Sequence, residues 1–311
     1  MTLPFWIRKT EVEIESIGRF RNGTFEGKLY DLDIFFELKN NKDNESTDKV
    51  EIYNIADQTR TQLASLLNDR KSNKQDLPLI FVRSGYESNF GLVREGRIEK
   101  MKNEHEQTGD VKTTISITNG KAALKSLIME ATYARGTPVD KFFSDIATIT
   151  GYGIGKIDSS YTFEDPNGFI VDKSRTIQQW IDFVSNRTRE MGEQCNFFFE
   201  NGNMFFLKQR VFVATPAGMR ITSPQGFHSE MGLDTNHGLL EAVECMDQED
   251  DESGLELTCY LIPGITNGLK VILTTKFPYP LTNAPFVVRE YQYVSTNEEH
   301  QVKMKVYPCE E

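Results

Sequence analysis

Cysteine is scarce in this chain of 311 residues. There are four, Cys195, Cys245, Cys259 and Cys309, and no two lie closer than fourteen positions. Without a C-x-x-C pair the chain has neither a zinc-ribbon nor a thioredoxin-like redox motif, and four reduced, mostly buried thiols are the expectation. Histidine is equally sparse: His105, His228, His237 and His300 are scattered, and none forms H-x-x-x-H or H-E-x-x-H. The G-x-S-x-G elbow of serine hydrolases and the G-x-x-x-x-G-K-[ST] phosphate loop are both missing. Gly151-Tyr-Gly153-Ile-Gly155 is glycine-rich, but it lacks the G-x-G-x-x-G spacing and follows a predicted helix where a dinucleotide loop must follow a strand. It reads as a helix stop and turn. No catalytic, cofactor or metal residues are assigned, and the expectation is a protein that is not an enzyme.

Positive charge is also in short supply. Against 46 Asp+Glu there are 35 Lys+Arg, a net −11 with no clustered basic run. Nucleic-acid affinity depends on Lys and Arg neutralising phosphates, so stable binding to DNA or RNA is disfavoured. Adhesion to an anionic membrane surface is disfavoured for the same reason. No apolar run approaches the ~18 residues that span a bilayer. The opening Met1-Thr2-Leu3-Pro4-Phe5-Trp6-Ile7 meets Arg8 and Lys9 at once, unlike a secretory signal, so the chain is expected to be made and folded in a cytoplasm.

What the chain does have is core material and turn signals. Hydrophobic residues make up 38%, with 21 Phe and 11 Tyr, which suits a packed globular protein of two or three domains. Asn-Gly occurs five times, at 22–23, 119–120, 167–168, 201–202 and 267–268. This pair tolerates the positive φ of tight hairpin turns, so the density points to a β-rich fold. Strict alternation supports it: Leu32, Ile34, Phe36 and Leu38 share one face of a strand, while Asp31, Asp33 and Glu37 share the other. Further strands are predicted at Val12–Glu15, Val50–Tyr53, Leu79–Arg83, Leu92–Ile98 and Thr113–Thr118, with His105 at a polar hairpin tip.

Residues 121–192 change period. Leu124, Leu127, Ile128 and Ala131 sit at helical spacing. A second helix starts with Thr137 as N-cap and Pro138 in the first helical position, and stops at Gly151. A third starts at Thr176 with Gln179 three residues on, a capping box, and ends at Gly192. A hairpin follows around Asn201-Gly202. From about residue 218 strands return, at Leu255–Ile262, Leu269–Thr275, Phe286–Val294 and Gln301–Tyr307. The fold class is therefore mainly β with an α+β module. The layout is a first β domain over 1–120, an α+β middle domain over 121–215 and a second β domain over 216–311. The two β domains read as distant copies, since each holds strand–connector–strand: Val50–Ile55, a helix over 57–70, then Leu77–Ser84; and Leu255–Ile262, the turn Pro263-Gly264, then Gly268–Thr275.

Other candidates have plain readings. The acidic run over 247–252 lacks the order of a calcium-binding loop and reads as solvated. Asp140, Asp145, Glu190 and Glu193 are the carboxylates a wall-degrading hydrolase would recruit, and they lie on or beside helices. Tyr279, Tyr291 and Tyr293 are aromatics that a glycan-binding surface would use, and they read as strand or turn residues.

Several strings carry a resemblance. Val50-Glu-Ile-Tyr-Asn-Ile55, a helix with Leu63, Leu66 and Leu67, and Leu79-Ile-Phe-Val-Arg-Ser-Gly-Tyr86 together resemble a signature of baseplate hub proteins. These are the tube-to-spike adaptors of contractile-tailed bacteriophages and related injection systems. Gly91–Gly96 and Val111–Ile117 look like the next strands of that domain. Cys259-Tyr-Leu-Ile-Pro-Gly-Ile265 through Leu273, and the hairpin Phe286–Tyr293 with Val302–Val306, are similar to the second hub domain and its closing hairpin. Asn267-Gly268 stands where that family has Pro-Gly, and Ile55 where it has Leu. Tyr53, Asn54, Gly85, Tyr86, Pro263 and Gly264 are the family-like turn positions.

The resemblance implies two hub-type β-barrel domains flanking the small α+β domain, in a structural virion protein of the tail baseplate. It implies a homotrimer that joins a six-fold tail tube protein to a three-fold central spike protein, since three chains of two barrels give six. It also implies contacts with other baseplate proteins and a tape-measure protein, with DNA passing only in transit during genome ejection and no membrane insertion. Assembly would occur in the host bacterial cytoplasm. The alternatives are the tail-tip hub of a non-contractile phage, a cell-wall hydrolase, or a glycan-binding tail protein.

Overall fold

The structure is a computed structural model that describes residues 7–40, 48–72, 77–87, 89–118, 121–193, 195–200, 202–208, 219–222, 239–247, 252–274 and 285–308. Contacts divide the chain into two compact units, Met1–Thr118 with Ala214–Glu311, and Asn119–Val213. His228, His237, Tyr279, Cys309, Asn119-Gly120 and most of the acidic run lie outside the described residues.

The first unit opens with β1 (Arg8–Ile14), β2 (Gly18–Phe25), β3 (Lys28–Asp31), β4 (Ile34–Asn40) and β5 (Asp48–Tyr53). Helix α1 (Asp57–Ser72) follows, buried through Leu63 and Leu67, then β6 (Leu79–Tyr86), β7 (Asn89–His105) and β8 (Val111–Thr118). Period-2 alternation drives these strands, as in β4, where Ile34, Phe36 and Leu38 are buried between more exposed neighbours. Two local readings need correction. Asn22-Gly23 lies inside β2, and the hairpin turn is Glu26-Gly27, both with positive φ. Gly23 is required for a different reason: a Cβ there would sit 2.5 Å from the Arg8 carbonyl oxygen. His105 is the last residue of a 17-residue strand, and the polar tip is the turn that follows it.

The second unit holds α2 (Lys121–Ser126), β9 (Ala131–Tyr133), α3 (Val139–Thr150), β10 (Gly153–Asp158), β11 (Phe169–Val171), α4 (Ile177–Glu190), β12 (Cys195–Glu200) and β13 (Asn203–Lys208). The first predicted helix is shorter than its spacing implied. Leu127 accepts from the Ile177 backbone N–H and Ile128 bridges Thr176, which holds that stretch extended, so Ala131 begins a strand. Pro138 is the N-cap of α3 in place of Thr137, and Gly151 (φ 72°) ends it. The capping box of Thr176 and Gln179 is present in both directions, with Met191 as C-cap and Gly192 (φ 83°) next. Gly202 (φ 76°) turns the hairpin β12–β13. Gly153 and Gly155 line up in β10 where a Cβ would collide with Asn203 and the Phe205 ring. The core is aromatic: Phe163 stacks on Phe169 with centroids 4.5 Å apart and on Tyr133 at 5.1 Å.

The first unit then resumes with β14 (Met219–Thr222), β15 (Leu239–Asp247), β16 (Glu252–Tyr260), β17 (Lys270–Thr274), β18 (Pro285–Ser295) and β19 (His300–Pro308). Its strand neighbours reveal a repeat. One half runs β4-β5-β8-β7-β6-β1 and the other β15-β16-β19-β18-β17-β14, so five adjacencies match in the same chain order. The match extends to single residues. Asp48 faces Ile117 in one half and Leu255 faces Val306 in the other, while Tyr53 faces Lys112 and Tyr260 faces Gln301. The β7–β8 ladder slips between Ile98 and Lys100, and the β18–β19 ladder slips at the equivalent place, between Val288 and Glu290. A bulge at the same position of the same strand marks the halves as copies. The departures are the β2–β3 hairpin, present in the first half, and β14, which runs parallel to its neighbour where β1 runs antiparallel. Pairing of β4 with β18 fuses the halves into one sheet.

Gly23→Ala is expected to lower stability by about 2–4 kcal/mol, because it combines positive-φ strain with a backbone collision. Gly27→Ala, with open space around its Cβ position, is expected to cost about 1 kcal/mol. Urea midpoints of the two variants test the difference.

Candidate functional site

The place where the halves join carries two groups of buried polar side chains. In the β4–β18 ladder Phe36 faces Ser295, Leu38 faces Tyr293 and Asn40 faces Tyr291. At one side of this seam Arg94, fully buried on β7, sets its Nε 2.7 Å from Asp48 Oδ2 on β5. The same guanidinium donates to Tyr291 Oη (3.2 Å) on β18 and to the Lys39 carbonyl (3.1 Å) on β4. Asp48 Oδ1 accepts from the Lys39 N–H at 2.7 Å. Burial pushes the Asp48 carboxyl up, and Arg94 with the Lys39 amide pulls it back toward the ionised form. One ion pair thus ties together four strands of both halves.

The second polar group of the seam centres on His300. Its Nε2 donates to the Gly85 carbonyl at 3.3 Å, and its Nδ1 lies 3.0 Å from Ser295 Oγ. A carbonyl only accepts, so the neutral imidazole carries its proton on Nε2 and accepts from the Ser295 hydroxyl. Burial lowers the His300 pKa to about 4, with the Gly85 hydrogen bond opposing and the nearby Arg8 charge assisting. Tyr86 Oη donates to the His300 carbonyl at 3.0 Å, and its ring meets His300 and Tyr260 edge-on. Burial pushes the Tyr86 hydroxyl up. Arg8 caps the β18–β19 turn through the carbonyls of Thr296 and Asn297.

The six turn positions divide between two places. Gly85 (φ 144°) and Tyr86 lie at the seam. So does Pro263, whose ring closes over Gly91: a Cβ on that glycine would be 3.1 Å from the proline. Gly264 (φ 83°) completes the turn after Pro263. Tyr53 and Asn54 instead clip the end of β5 to the β7–β8 turn. Tyr53 Oη donates to Glu106, and burial together with that carboxylate pushes its hydroxyl up to about 12. Asn54, at φ 55°, donates to Asp110 Oδ1 and accepts from the Val111 N–H.

Sequence reasoning missed Arg94, Asp48 and the role of His300. The readable signal was Arg94 itself, a charge at the same strand parity as Gly96 and Ile98 in a stretch predicted to alternate. Tyr291 and Tyr293 are buried, so neither forms a surface aromatic patch.

Three of the four carboxylates considered for hydrolysis are engaged structurally, and Asp140 is exposed in the first turn of α3. Asp145 accepts from Tyr133 Oη (3.0 Å) and Lys141 Nζ (2.6 Å), and Glu190 pairs with Arg187. For Glu193 burial acts upward, but hydrogen bonds from Ser160, Lys208 and Ser159 bring it down to about 2. A general acid needs the opposite shift. Among the described residues no group of His, Cys, Asp and Glu could hold a metal ion, and no helix is long and apolar enough to cross a membrane.

No family model and no curated protein matches the chain. Solved structures do. A tail protein from Neisseria meningitidis MC58 aligns over 97% of this chain and 96% of its own, with TM-score 0.58 and 8% identity. The 43 kDa tail protein of prophage MuSo2 from Shewanella oneidensis aligns over 97% of each chain, with TM-score 0.58 and 7% identity. The Escherichia coli c3393 protein, a type VI secretion component described as similar to the T4 tail proteins gp27 and gp5, aligns over 93% of this chain and 77% of its own, with TM-score 0.56 and 11% identity. The chain has a phage tail-protein fold. At 7–11% identity the likeness shows the fold, and within that tail-protein fold the seam and the repeat are what this chain's own residues build.

Arg94→Ala strands a buried carboxylate, and the expected cost is roughly 3–5 kcal/mol in chemical denaturation. The double variant Asp48→Leu/Arg94→Met should recover most of it, since no unpaired charge remains. His300 gives a pH signature. Its folded pKa lies below the unfolded value of 6.5, so its contribution is complete above pH 6.5 and is lost as pH falls toward 4. Stability is expected to drop by about 2 kcal/mol more between pH 7 and 5 in the native chain than in His300→Gln, compared by urea melts.

Proposed function

We propose that the chain is a structural hub of a phage tail baseplate, a homotrimer that joins the six-fold tail tube to the three-fold central spike. The observation that carries this reading is the repeat. One chain holds two copies of a β half at a fixed relation, so three chains supply six near-equivalent halves around one axis while keeping three-fold symmetry overall. A symmetry adaptor needs that arithmetic. The alignment of tail proteins along nearly the whole chain supports it. In this reading the α+β middle domain over 121–215 buttresses the ring, and tube, spike, other baseplate and tape-measure proteins are its partners in the virion.

The chain's charge fits the same picture. Duplex DNA carries about one negative charge per 1.7 Å of axis, so a conduit for ejection works best when its wall repels the duplex weakly. A net −11 favours such a wall, and in this reading the six turn positions act as structural residues, not catalysts. The engaged carboxylates weigh against a wall hydrolase, and the burial of Tyr291 and Tyr293 weighs against a glycan-binding face.

Light scattering across a concentration series, alone and with the cognate tube and spike proteins, is the direct test. The expected mass is three copies of the 35.6 kDa chain, with a six-lobed ring in electron micrographs. A chain that stays monomeric with both partners present, or that clears peptidoglycan, would overturn the reading.

A further inference from the structure

Charge is divided unevenly between the two units. Residues 119–213 hold eleven Lys+Arg and eleven Asp+Glu, so the whole net −11 belongs to the first unit. An acidic partner is repelled by the first unit and meets no net repulsion from the second. Within the second unit most cations are already paired. Arg135, Lys141, Lys156, Lys173, Arg187 and Lys208 each reach a carboxylate. Arg175, which is exposed, forms no ion pair or hydrogen bond through its guanidinium among the described residues.

Arg175 is nevertheless held in place. Its guanidinium carbon lies 4.8 Å from the Trp180 ring centroid and 5.2 Å from that of Phe183. The turn that carries it is pinned as well. Trp180 Nε1 donates to the Asp172 carbonyl at 3.1 Å, and the Asp172 carboxylate accepts from the Ser174 N–H at 2.9 Å. The rings are fixed by the core, since Phe183 stacks on Phe169 and meets Trp180 edge-on. A second guanidinium, that of Arg187 one turn beyond Phe183, lies 5.2 Å from the same Phe183 centroid and donates to Glu190. Two groups at that distance from one centroid are at most twice that distance apart. Covering the rings would need only an aliphatic stem. A cation–ring contact leaves the N–H donors free, so Arg175 is an immobilised cation whose hydrogen-bonding capacity the protein leaves unused.

We infer that Arg175 and Arg187 form a docking site for an acidic, extended peptide segment of a partner protein, with one carboxylate on each guanidinium. This goes beyond the hub reading, which gives the second unit only a buttressing role. A guanidinium meets a carboxylate through charge-assisted N–H···O bonds, stronger than neutral ones. In an extended peptide alternate side chains share a face at roughly 6.6 Å spacing, inside the limit that the shared ring sets. A peptide also suits the rim better than a continuous polyanion. Glu190 sits on Arg187, and hydrogen bonds from Ser174, with the Arg175 charge adding to them, hold the Asp172 carboxyl below its usual range. These two carboxylates repel an unbroken run of phosphates, whereas a peptide sets N–H groups or uncharged side chains against them. Because Arg175 is already immobile, docking costs little side-chain entropy there.

Fluorescence anisotropy with the full-length chain and a fluorescein-labelled peptide of alternating Gly and Glu tests the site. The peptide is expected to bind, and to bind several-fold more weakly as salt rises, since exposed charge pairs are screened. The same peptide with Gln for Glu should not bind. Arg175→Gln is expected to weaken binding roughly tenfold or more, the loss of a charge-assisted contact. Arg175→Lys should weaken it roughly fivefold, because Lys keeps the charge but lacks the planar fork. Arg189→Gln, on the opposite side of α4 from Arg187, should stay within about twofold of the native chain. Both arginines substituted are exposed, and matching thermal melts will show that the variants fold. An oligothymidylate of the same charge should compete poorly; if it competes better than the peptide, the site serves phosphodiesters and the inference is wrong. Native-like binding by Arg175→Gln or Arg175→Lys, or no binding at about 1 mM peptide, would sink it too. None of these outcomes bears on the copy number of the hub, which light scattering reads separately.

Discussion

The β4–β18 ladder is the constraint on which the first unit depends. Without it the two β halves would be separate sheets, free to turn about the long excursion through the second unit. With it they form one sheet, and the Arg94–Asp48 pair, carried on β7 and β5 of the first half, reaches across to Tyr291 of the second. A buried ion pair adds little net stability over a hydrophobic substitute of equal size, because desolvation offsets the Coulomb attraction. Its geometry, however, is demanding. Arg94 is satisfied only when β5, β4 and β18 all lie where they do, so the pair selects one arrangement of the halves over its near neighbours.

That selection matters because the unit is built by repetition. Two sheets with the same strand order and the same bulge could associate through several edges, and β-edges are promiscuous. The seam assigns one edge of each half to the other. His300 reinforces it from the far side by spending every polar atom of its ring on backbone and side-chain partners that belong to both halves, Gly85 and Ser295.

The sequence made much of this architecture legible. Alternation placed the strands, the Thr176–Gln179 capping box placed α4, and the glycines placed several turns, because each of these depends on residues within a few positions of one another. The shared strand–connector–strand order of the two β halves was visible for the same reason. Local chemistry also misled. Asn22-Gly23 has the composition of a hairpin turn yet sits within β2, where the approach of the Arg8 backbone demands glycine, and that neighbour is distant in sequence. Leu127, Ile128 and Ala131 keep helical spacing, but backbone bonding to the start of α4 holds them extended.

From its residues alone the chain determined that it is mainly β, that an α+β module interrupts it, and that it lacks the motifs of metal, nucleotide and hydrolase chemistry, since short-range periodicity and residue types carry those properties. Tertiary structure decided which edges meet. Asp48 and Arg94, Gly85 and His300, and Gly91 and Pro263 are 46, 215 and 172 positions apart. No spacing rule links them; the strand order of a folded sheet brings them together, and with them the joint that makes two copies of one half into a single unit.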